Sequence, residues 1–173
     1  MDVTEIKRLQ DALQKRVLAL THPLDQPEGI AFDDLFSLSE IQRVQDTFST
    51  ATGVSSIISD SEGVALTKPS NFIEILRFMD SKTKVEYVDC FATNTEIRRH
   101  YPEGPVIRQC PRSGLWDAGA SIAIGGRHIA TWLIGQVRDE SWSEQQTRAH
   151  AREIGVDETE LLEAFSHRPV MTR

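Results

Sequence analysis

The chain lacks the features that would place it in several large protein classes. Its 173 residues include only two cysteines, too few for the disulfide framework of a small secreted domain. No apolar run approaches the roughly 18 residues that a membrane-spanning helix needs, and the first residues do not resemble a signal peptide. The formal net charge of -7 argues against a nucleic-acid-binding surface, which needs clustered Lys and Arg. We therefore expect a cytoplasmic protein that contacts neither membranes nor nucleic acids directly.

The composition that remains is that of an ordinary globular protein. The sequence is 39% hydrophobic and 26% charged, a balance that allows a buried core. Its length fits one domain with flanking helices rather than two full domains. We assign residues 1–35 to an N-terminal helix and linker, and residues 36–173 to a single domain whose C-terminal helices lie within 141–166.

Helical periodicity marks both ends of the chain. Apolar residues recur every three or four positions in the first 20 residues, at Ile6, Leu9, Leu13, Val17 and Leu20. Because this stripe is narrow and the rest of the segment is charged, the helix either lies on its own domain or is a dimerising or signalling helix. The same kind of spacing predicts five further helices. They cover Ser39–Ala51, Asn71–Met79, Val85–His100, Ser143–Ile154 and Glu158–Phe165.

Strand-like segments fill the rest of the chain. Val54–Ser59 and Val64–Thr67 flank a turn that contains glycine, which predicts a hairpin. Three more strands are predicted at Val106–Cys110, Leu115–Ile124 and His128–Val137. Gly125-Gly126 predicts a two-residue turn between the last two, because both central positions of a type I′ turn need positive φ. The pattern predicts an α+β fold: a PAS-like five-stranded antiparallel sheet with helices on one face and flanking N- and C-terminal helices.

The sequence Cys110-Pro-Arg-Ser is similar to the redox turn of glutaredoxin-like enzymes. In those enzymes the cysteine begins a helix, whose N-terminus lowers the pKa of the thiol. Here the motif leads into a predicted strand, which disfavours that chemistry, and Trp116 stands where a Cys-based phosphatase loop has arginine. Cys90, His100, Cys110 and His128 lack the tight spacing of a structural zinc site. The cysteines are then half-buried thiols, ligand contacts or a reversible pair.

The predicted Gly125-Gly126 turn also suggests a pocket. If the residues that flank the turn pair, Gly119 faces Trp132, and Asp117 and Gln136 lie on the same face. A large aromatic ring opposite a glycine, with a carboxylate and an amide nearby, is typical of a small-molecule site. Asp117 is alternatively a solvated acid or a hydrogen-bond link to a loop, and Trp132 is alternatively plain core. The other face, which includes Trp116, is expected to pack on helices.

A set of short motifs lies in a characteristic order between Phe36 and Val137. They are Ile41-Gln42-Arg43-Val44-Gln45-Asp46-Thr47-Phe48, Ala51-Thr52-Gly53, Lys68-Pro69-Ser70-Asn71-Phe72, Cys90, Cys110, Gly114-Leu115, Asp117, Ile122 and Gly135-Gln136-Val137. In this order and spacing the chain resembles the PocR sensory domain, a PAS-like ligand-binding module of bacterial and archaeal regulators. It departs from that family at Pro111, where the family often has a histidine.

The resemblance implies a non-enzymatic signal-input domain of a histidine kinase or transcription regulator that senses small hydrocarbon derivatives such as short diols. We expect no cofactor or metal, a homodimer, and an output domain outside this chain, which would make the chain part of a larger regulator. The candidate ligand contacts are Asp117, Gln136, Trp132, Asn71, Phe72, Cys110, Trp116 and Cys90. Asn71 is equally suited to capping a helix. Two alternatives remain: a dimerisation or interaction module without a ligand, and a redox or metal sensor that uses Cys90 and Cys110.

Overall fold

The computed structural model describes residues 3–21, 32–73, 101–110 and 113–171. The elements in chain order are α1 Val3–Thr21, α2 Phe32–Leu35, α3 Leu38–Thr52, β1 Ser55–Asp60, β2 Val106–Gln109, β3 Trp116–Ile124, β4 Arg127–Val137, α4 Glu144–Ile154 and α5 Glu158–Ser166. The strands form an antiparallel sheet in the order β1-β4-β3-β2. This confirms the predicted α+β class with an antiparallel sheet.

Residues of the usual capping types stand at the ends of three helices. α3 ends at Gly53, which has a φ of 74°. α4 begins after Ser143, whose side chain accepts the N–H of Gln146. α5 begins after Asp157, whose carboxylate accepts the N–H groups of the first turn. The predicted helices at the N-terminus, at Ser39–Ala51 and at both C-terminal positions are therefore confirmed to within a residue or two.

Two predicted helices fall wholly or partly outside the described residues. The predicted helix Val85–His100 lies wholly outside the described residues. The predicted helix Asn71–Met79 is described only up to Ile73, and the chain is not helical there. The short helix α2 was not predicted, since four residues are too few to show a period.

The predicted second strand of the first hairpin, Val64–Thr67, does not form a strand. The returning chain runs beside β1 through isolated bridges that join Ser59 to Ala65 and Ser56 to Ser70. Side chains take the place of a regular ladder: Thr67 Oγ1 accepts the N–H of Ile58 at 2.8 Å. Such side-chain bonds compete with strand pairing. The sheet of the described residues consequently has four strands rather than the predicted five.

The pairing of β3 with β4 begins as predicted and then shifts by one residue. Ile124 pairs with Arg127 at the turn, but a β-bulge inserts Ile129 into β4. Beyond the bulge, Trp132 pairs with Ala120. Because side chains alternate along a strand, one extra residue exchanges the two faces of β4 relative to β3. The predicted pairing of Trp132 with Gly119 is therefore wrong.

A second irregularity lies at the other end of the same pair. Asp117 pairs with Gly135 and Trp116 with Val137, which leaves Gln136 as an extra residue. Gln136 has a φ of 56°, in the left-handed region that non-glycine residues seldom adopt. This second bulge reverses the alternation again and brings Gln136 to the side of the sheet on which Asp117 lies.

The two faces of the sheet have different partners. On the first, which we call the outer face, Ile58, Ala130 and Trp132 belong to an apolar cluster with α2 and the start of α3. The opposite, inner face comprises Ser55, Ile57 and Ser59 of β1, Val106 and Arg108 of β2, Asp117, Gly119 and Ser121 of β3, and Thr131, Leu133 and Gly135 of β4. A separate cluster joins Leu115 and Ile73 to α4 and α5.

Candidate functional site

The inner face carries three rows of residues that run across the strands. The hydroxyl row consists of the paired residues Ser59, Thr131 and Ser121. The apolar row consists of Ile57, Leu133, Gly119 and Val106, and the charged row of Ser55, Gly135, Asp117 and Arg108. Directly paired residues project to the same side of a sheet, so these rows form one surface with an apolar centre and two polar margins.

The apolar row is buried except for the partly buried Ile57, and Phe72 packs on it. The Phe72 ring packs with Leu133 and Ile57 in one cluster, and Phe72 and Leu133 are 6% and 2% exposed. Gly119 contributes no side chain to the middle of the row. The aromatic ring on this face is thus that of Phe72, which is one of the predicted contacts, and not that of Trp132.

Two of the three side chains in the hydroxyl row have hydrogen-bond partners among the described residues, and the third does not. The Thr131 hydroxyl lies 2.9 Å from Nε2 of His128, and the Ser121 hydroxyl accepts the N–H of Tyr101 at 3.0 Å. Ser59 is 3% exposed, and its hydroxyl has no hydrogen-bond partner among the residues that the structure describes. A buried hydroxyl without a partner costs free energy, which makes Ser59 the unsatisfied member of the row.

Asp117 is the carboxylate of the charged row. Its Oδ1 accepts the N–H of Gln136 at 3.0 Å, and the residue is 3% exposed, so it is not a solvated strand-end acid. Burial raises the pKa of Asp117 to about 7, while the Gln136 N–H and the charge of Arg168 act in the opposite direction. Position 135, which pairs with Asp117, has room only for glycine, because an added Cβ would lie 2.9 Å from the Asp117 Cα.

Arg168, which sequence reasoning missed, holds the charged row to the C-terminal segment. It follows α5 and is 8% exposed. Its Nε donates to the Gln136 carbonyl at 2.9 Å and its Nη1 to the Asn71 carbonyl at 3.0 Å, while Nη2 donates to the Ser55 hydroxyl. A single arginine after an amphipathic helix carries no sequence signal that separates it from a surface residue.

The predicted contacts Gln136 and Asn71 belong to the same network. Gln136 Oε1 accepts the N–H of Ile73 at 3.0 Å and also accepts from the Ser55 hydroxyl. Asn71 has a φ of 54°, and its exposed side chain donates to the Gly53 carbonyl at 2.6 Å. The Asn71 side chain therefore binds the end of α3, while the Asn71 carbonyl accepts a hydrogen bond from Arg168.

The two predicted tryptophans lie on the outer face. Trp132 Nε1 donates to the Ser56 hydroxyl at 2.6 Å, and its ring meets Phe48 of α3 edge-on with 5.5 Å between centroids. Trp116 shares the alternation of Ala118 and Ala120 along β3 and so faces the same way. The structure thus separates both tryptophans from Asp117, and the β-bulge at Ile129 is the physical reason for Trp132.

Cys110 closes the connection between β2 and β3. Its N–H donates to the Leu115 carbonyl at 2.8 Å, and its carbonyl accepts the N–H of Gly114 at 2.9 Å. It is buried and disulfide-bonded, so its interpretation as a half-buried free thiol is wrong. Cys90, the other cysteine of the chain, lies outside the described residues.

The described residues contain neither a metal-ligand cluster nor a membrane-spanning helix. Within the described ranges, no three His, Cys, Asp or Glu side chains are grouped so that they could hold a metal ion. No helix in that part of the chain combines the length and the apolar character needed to cross a membrane.

Comparison with known proteins shows what this chain is similar to. Among solved structures, the chain is similar to the sensor domain of the zinc-responsive histidine kinase CzcS from Pseudomonas aeruginosa, with 16% identity and a TM-score of 0.31 over 78% of this chain and 98% of that one. No curated protein matches it. The family model described as the sensory domain found in PocR matches residues 34–173. The chain therefore belongs to the PocR sensory domain family, and it is a sensor input domain.

Proposed function

We propose that this sensor domain binds a short neutral alcohol or diol on the inner face of its sheet and does not catalyse a reaction. The observation that carries the proposal is the buried apolar row held between two polar rows. Small-molecule sites are mostly apolar, with a few placed polar groups that set orientation. Family membership supplies the sensory role, and the inner face supplies a surface with the chemistry of such a site.

The spacing of the rows supports a short ligand. Ser59 and Ser55 stand at the two polar margins and are separated by four positions along β1, which is about 13 Å in an extended strand. A molecule that bonds to one margin and covers the apolar row therefore needs a skeleton of only roughly 7 Å, which is a few carbon atoms.

The charge distribution supports a neutral ligand. Burial favours the neutral form of Asp117, and the buried guanidinium of Arg168 is already bonded to the carbonyls of Gln136 and Asn71 and to the Ser55 hydroxyl. A charged ligand would have to lose its hydration on the apolar row, which is costly without a paired charge.

The absence of catalysis is part of the proposal. Thr131 and His128 form a hydroxyl–imidazole pair with 2.9 Å between Oγ1 and Nε2, the kind of contact that activates a nucleophile. Thr131 is, however, fully buried in the middle of β4. This position favours a structural or binding role for the pair over attack on a substrate.

A thermal-shift series tests the proposal. We expect short alcohols and diols to raise the melting temperature, because a ligand at 100 times its Kd stabilises the folded state by about 2.7 kcal/mol. The series contains 1-propanol, 1,2-propanediol and propionate, which share a three-carbon skeleton. Incubation of the bound compounds with the protein, followed by NMR of the solution, checks for turnover. A melting temperature that none of the three compounds changes would contradict the proposal, and product formation would contradict its non-enzymatic part.

A second candidate function, self-association, is favoured by the surface of α1. Val3, Leu9, Leu13 and Val17 are 79%, 62%, 63% and 51% exposed. The last three follow at intervals of four residues and form one apolar stripe on a 19-residue helix. Two copies of the helix can bury these stripes against each other, as in a coiled coil. We propose a homodimer through α1 as the assembly that presents the sensor to its output domain, a histidine kinase or a DNA-binding domain.

The variant Leu13→Glu tests this dimer. We expect it to raise the dissociation constant of the dimer at least tenfold, because it places two carboxylates in the apolar contact. Analytical ultracentrifugation over a concentration series measures the constant. Gln14→Glu is the matched control, since it adds the same side chain at the next exposed position and should leave the constant nearly unchanged. A wild-type chain that stays monomeric at every concentration would rule the assembly out.

A further inference from the structure

We propose that the hydroxyl row is the polar subsite of the inner face and that the Ser59 hydroxyl bonds directly to a hydroxyl or carbonyl group of the ligand. This inference rests on the proposed ligand-binding function and specifies which margin of the inner face recognises the ligand. It assigns the recognition to Ser59, Thr131 and Ser121, none of which is among the residues that the sequence singled out.

The state of Ser59 is the first argument. Ser59 is only 3% exposed, and its hydroxyl has no partner among the described residues. A hydroxyl can donate one hydrogen bond and accept two, so Ser59 offers both functions to a molecule that reaches it. Since an unmade hydrogen bond in a buried place carries a cost, a ligand that completes this bond gains affinity from removing it.

The position of Ser59 is the second argument. Ser59 pairs with Thr131, and Thr131 pairs with Ser121. Paired residues place their Cβ atoms about 5 Å apart, so a single ligand oxygen beside Ser59 is also within reach of the Thr131 side chain. The apolar row lies two residues away along the strands, and its side chains Ile57 and Leu133 can contact a hydrocarbon skeleton.

The opposite margin is already occupied by the protein itself. Asp117 Oδ1 accepts the N–H of Gln136, and the Arg168 guanidinium is bonded to Gln136, Asn71 and Ser55. A ligand that bound there would have to displace a bond of a buried, charged group, which costs more than completing an unmade one. The geometry therefore directs the polar group of the ligand away from Asp117 and towards Ser59.

The chemistry of the row selects a neutral group. The row itself consists of hydroxyl side chains, with the His128 ring at Thr131 and the Tyr101 N–H at Ser121. Hydroxyls bond well to an alcohol or a carbonyl oxygen, but they do not compensate a full charge in a buried place. We therefore expect 1-propanol and 1,2-propanediol to bind more tightly than propionate.

The test is the variant Ser59→Ala, with Ser49→Ala as its matched control. Ser49 in α3 is 1% exposed, and its hydroxyl likewise has no partner within the described part of the chain, so both changes remove the same kind of group. Both empty variants should melt at or slightly above the wild-type temperature, because neither change breaks a described hydrogen bond. Titration calorimetry with 1-propanol and 1,2-propanediol should give a Kd about tenfold higher for Ser59→Ala and unchanged for Ser49→Ala.

The possible outcomes separate this inference from the function on which it rests. If the wild-type chain binds a neutral probe and Ser59→Ala binds it equally well, the hydroxyl row is not the subsite, although the sensor function stands. Tighter binding of propionate than of the neutral probes would also overturn the inference. If the wild-type chain binds none of the probes, the proposed ligand class fails and the subsite fails with it.

Discussion

Replacing Arg168 with methionine is expected to lower the free energy of unfolding by about 3–5 kcal/mol. Methionine keeps much of the apolar stem but removes the guanidinium, which bonds to the carbonyls of Gln136 and Asn71 and to the Ser55 hydroxyl. The buried Asp117 also loses the nearby positive charge that favours its ionised form. Removing one partner of a buried charged network costs more than the bonds themselves, because the other partner stays buried.

Urea denaturation at constant pH measures this effect, and two variants control it. Arg152→Met removes an exposed guanidinium whose bonds to described residues all go to Glu158 at a helix end, so its effect should be small. In the Arg168→Met background, Asp117→Asn should recover part of the lost stability, because it removes the uncompensated carboxylate. A loss for Arg168→Met no larger than that for Arg152→Met would show that the network does not support the fold.

The same network links the C-terminal segment to the site. Arg138, which directly follows β4, and Val170 form a parallel bridge, in which the Arg138 N–H donates to the Pro169 carbonyl and the Met171 N–H donates to the Arg138 carbonyl. Arg168, two residues earlier, reaches the charged row of the inner face. The end of the domain is thus bonded to the strand that also carries Leu133 and Thr131 of the proposed site.

The secondary structure was largely predictable because local chemistry determines it. Ser143 and Asp157 cap helices as their residue types suggest, and Gly53 ends α3 with the positive φ that glycine tolerates. The Gly125-Gly126 turn likewise sets the pairing of the residues that flank it. In each of these cases the deciding interaction lies within a few residues of the chain.

The site was less predictable because two single-residue bulges decide it. Neither Ile129 nor Gln136 differs from an ordinary strand residue in type, yet each is inserted into β4 and reverses its alternation. Pairing extrapolated from the turn therefore places Trp132 beside Asp117, whereas the structure places Leu133 and Thr131 on that face. Arg168 was missed for a related reason, since its partners are distant in sequence and a lone arginine gives no pattern.

The bonding state of the cysteines was not predictable from their spacing in the sequence. The spacing of Cys90 and Cys110 left free thiols, ligand contacts and a reversible pair open, and the structure shows Cys110 in a disulfide. Stable disulfides are rare in the reducing cytosol, and the cytoplasmic location stays a prediction. Pairing between cysteines depends on the distance and direction of their Cβ atoms, which sequence spacing does not provide.

The variant Asp117→Asn is expected to change how the stability of the domain depends on pH. Burial raises the pKa of Asp117 to about 7 in the folded chain, from an ordinary value of 3.8. Between these two values the folded state keeps a proton that the unfolded state has released, so the contribution of Asp117 to stability falls as the pH rises. From pH 5 to pH 8 the wild-type chain should lose roughly 3 kcal/mol relative to Asp117→Asn, which has no carboxylate to ionise.

Urea denaturation of both chains at pH 5, 6, 7 and 8 measures the difference. The variant Asp46→Asn is the control: hydrogen bonds from Ser70 and Gln42 lower the pKa of the exposed Asp46, so its titration lies below this range and its profile should parallel that of the wild type. The sign distinguishes the two possible states of the carboxylate. If Arg168 kept Asp117 ionised throughout, Asp117→Asn would be less stable than the wild type by the same amount at every pH from 5 to 8. A difference that grows with pH shows instead that burial outweighs the attraction of Arg168, and that the charged row takes up a proton near neutrality.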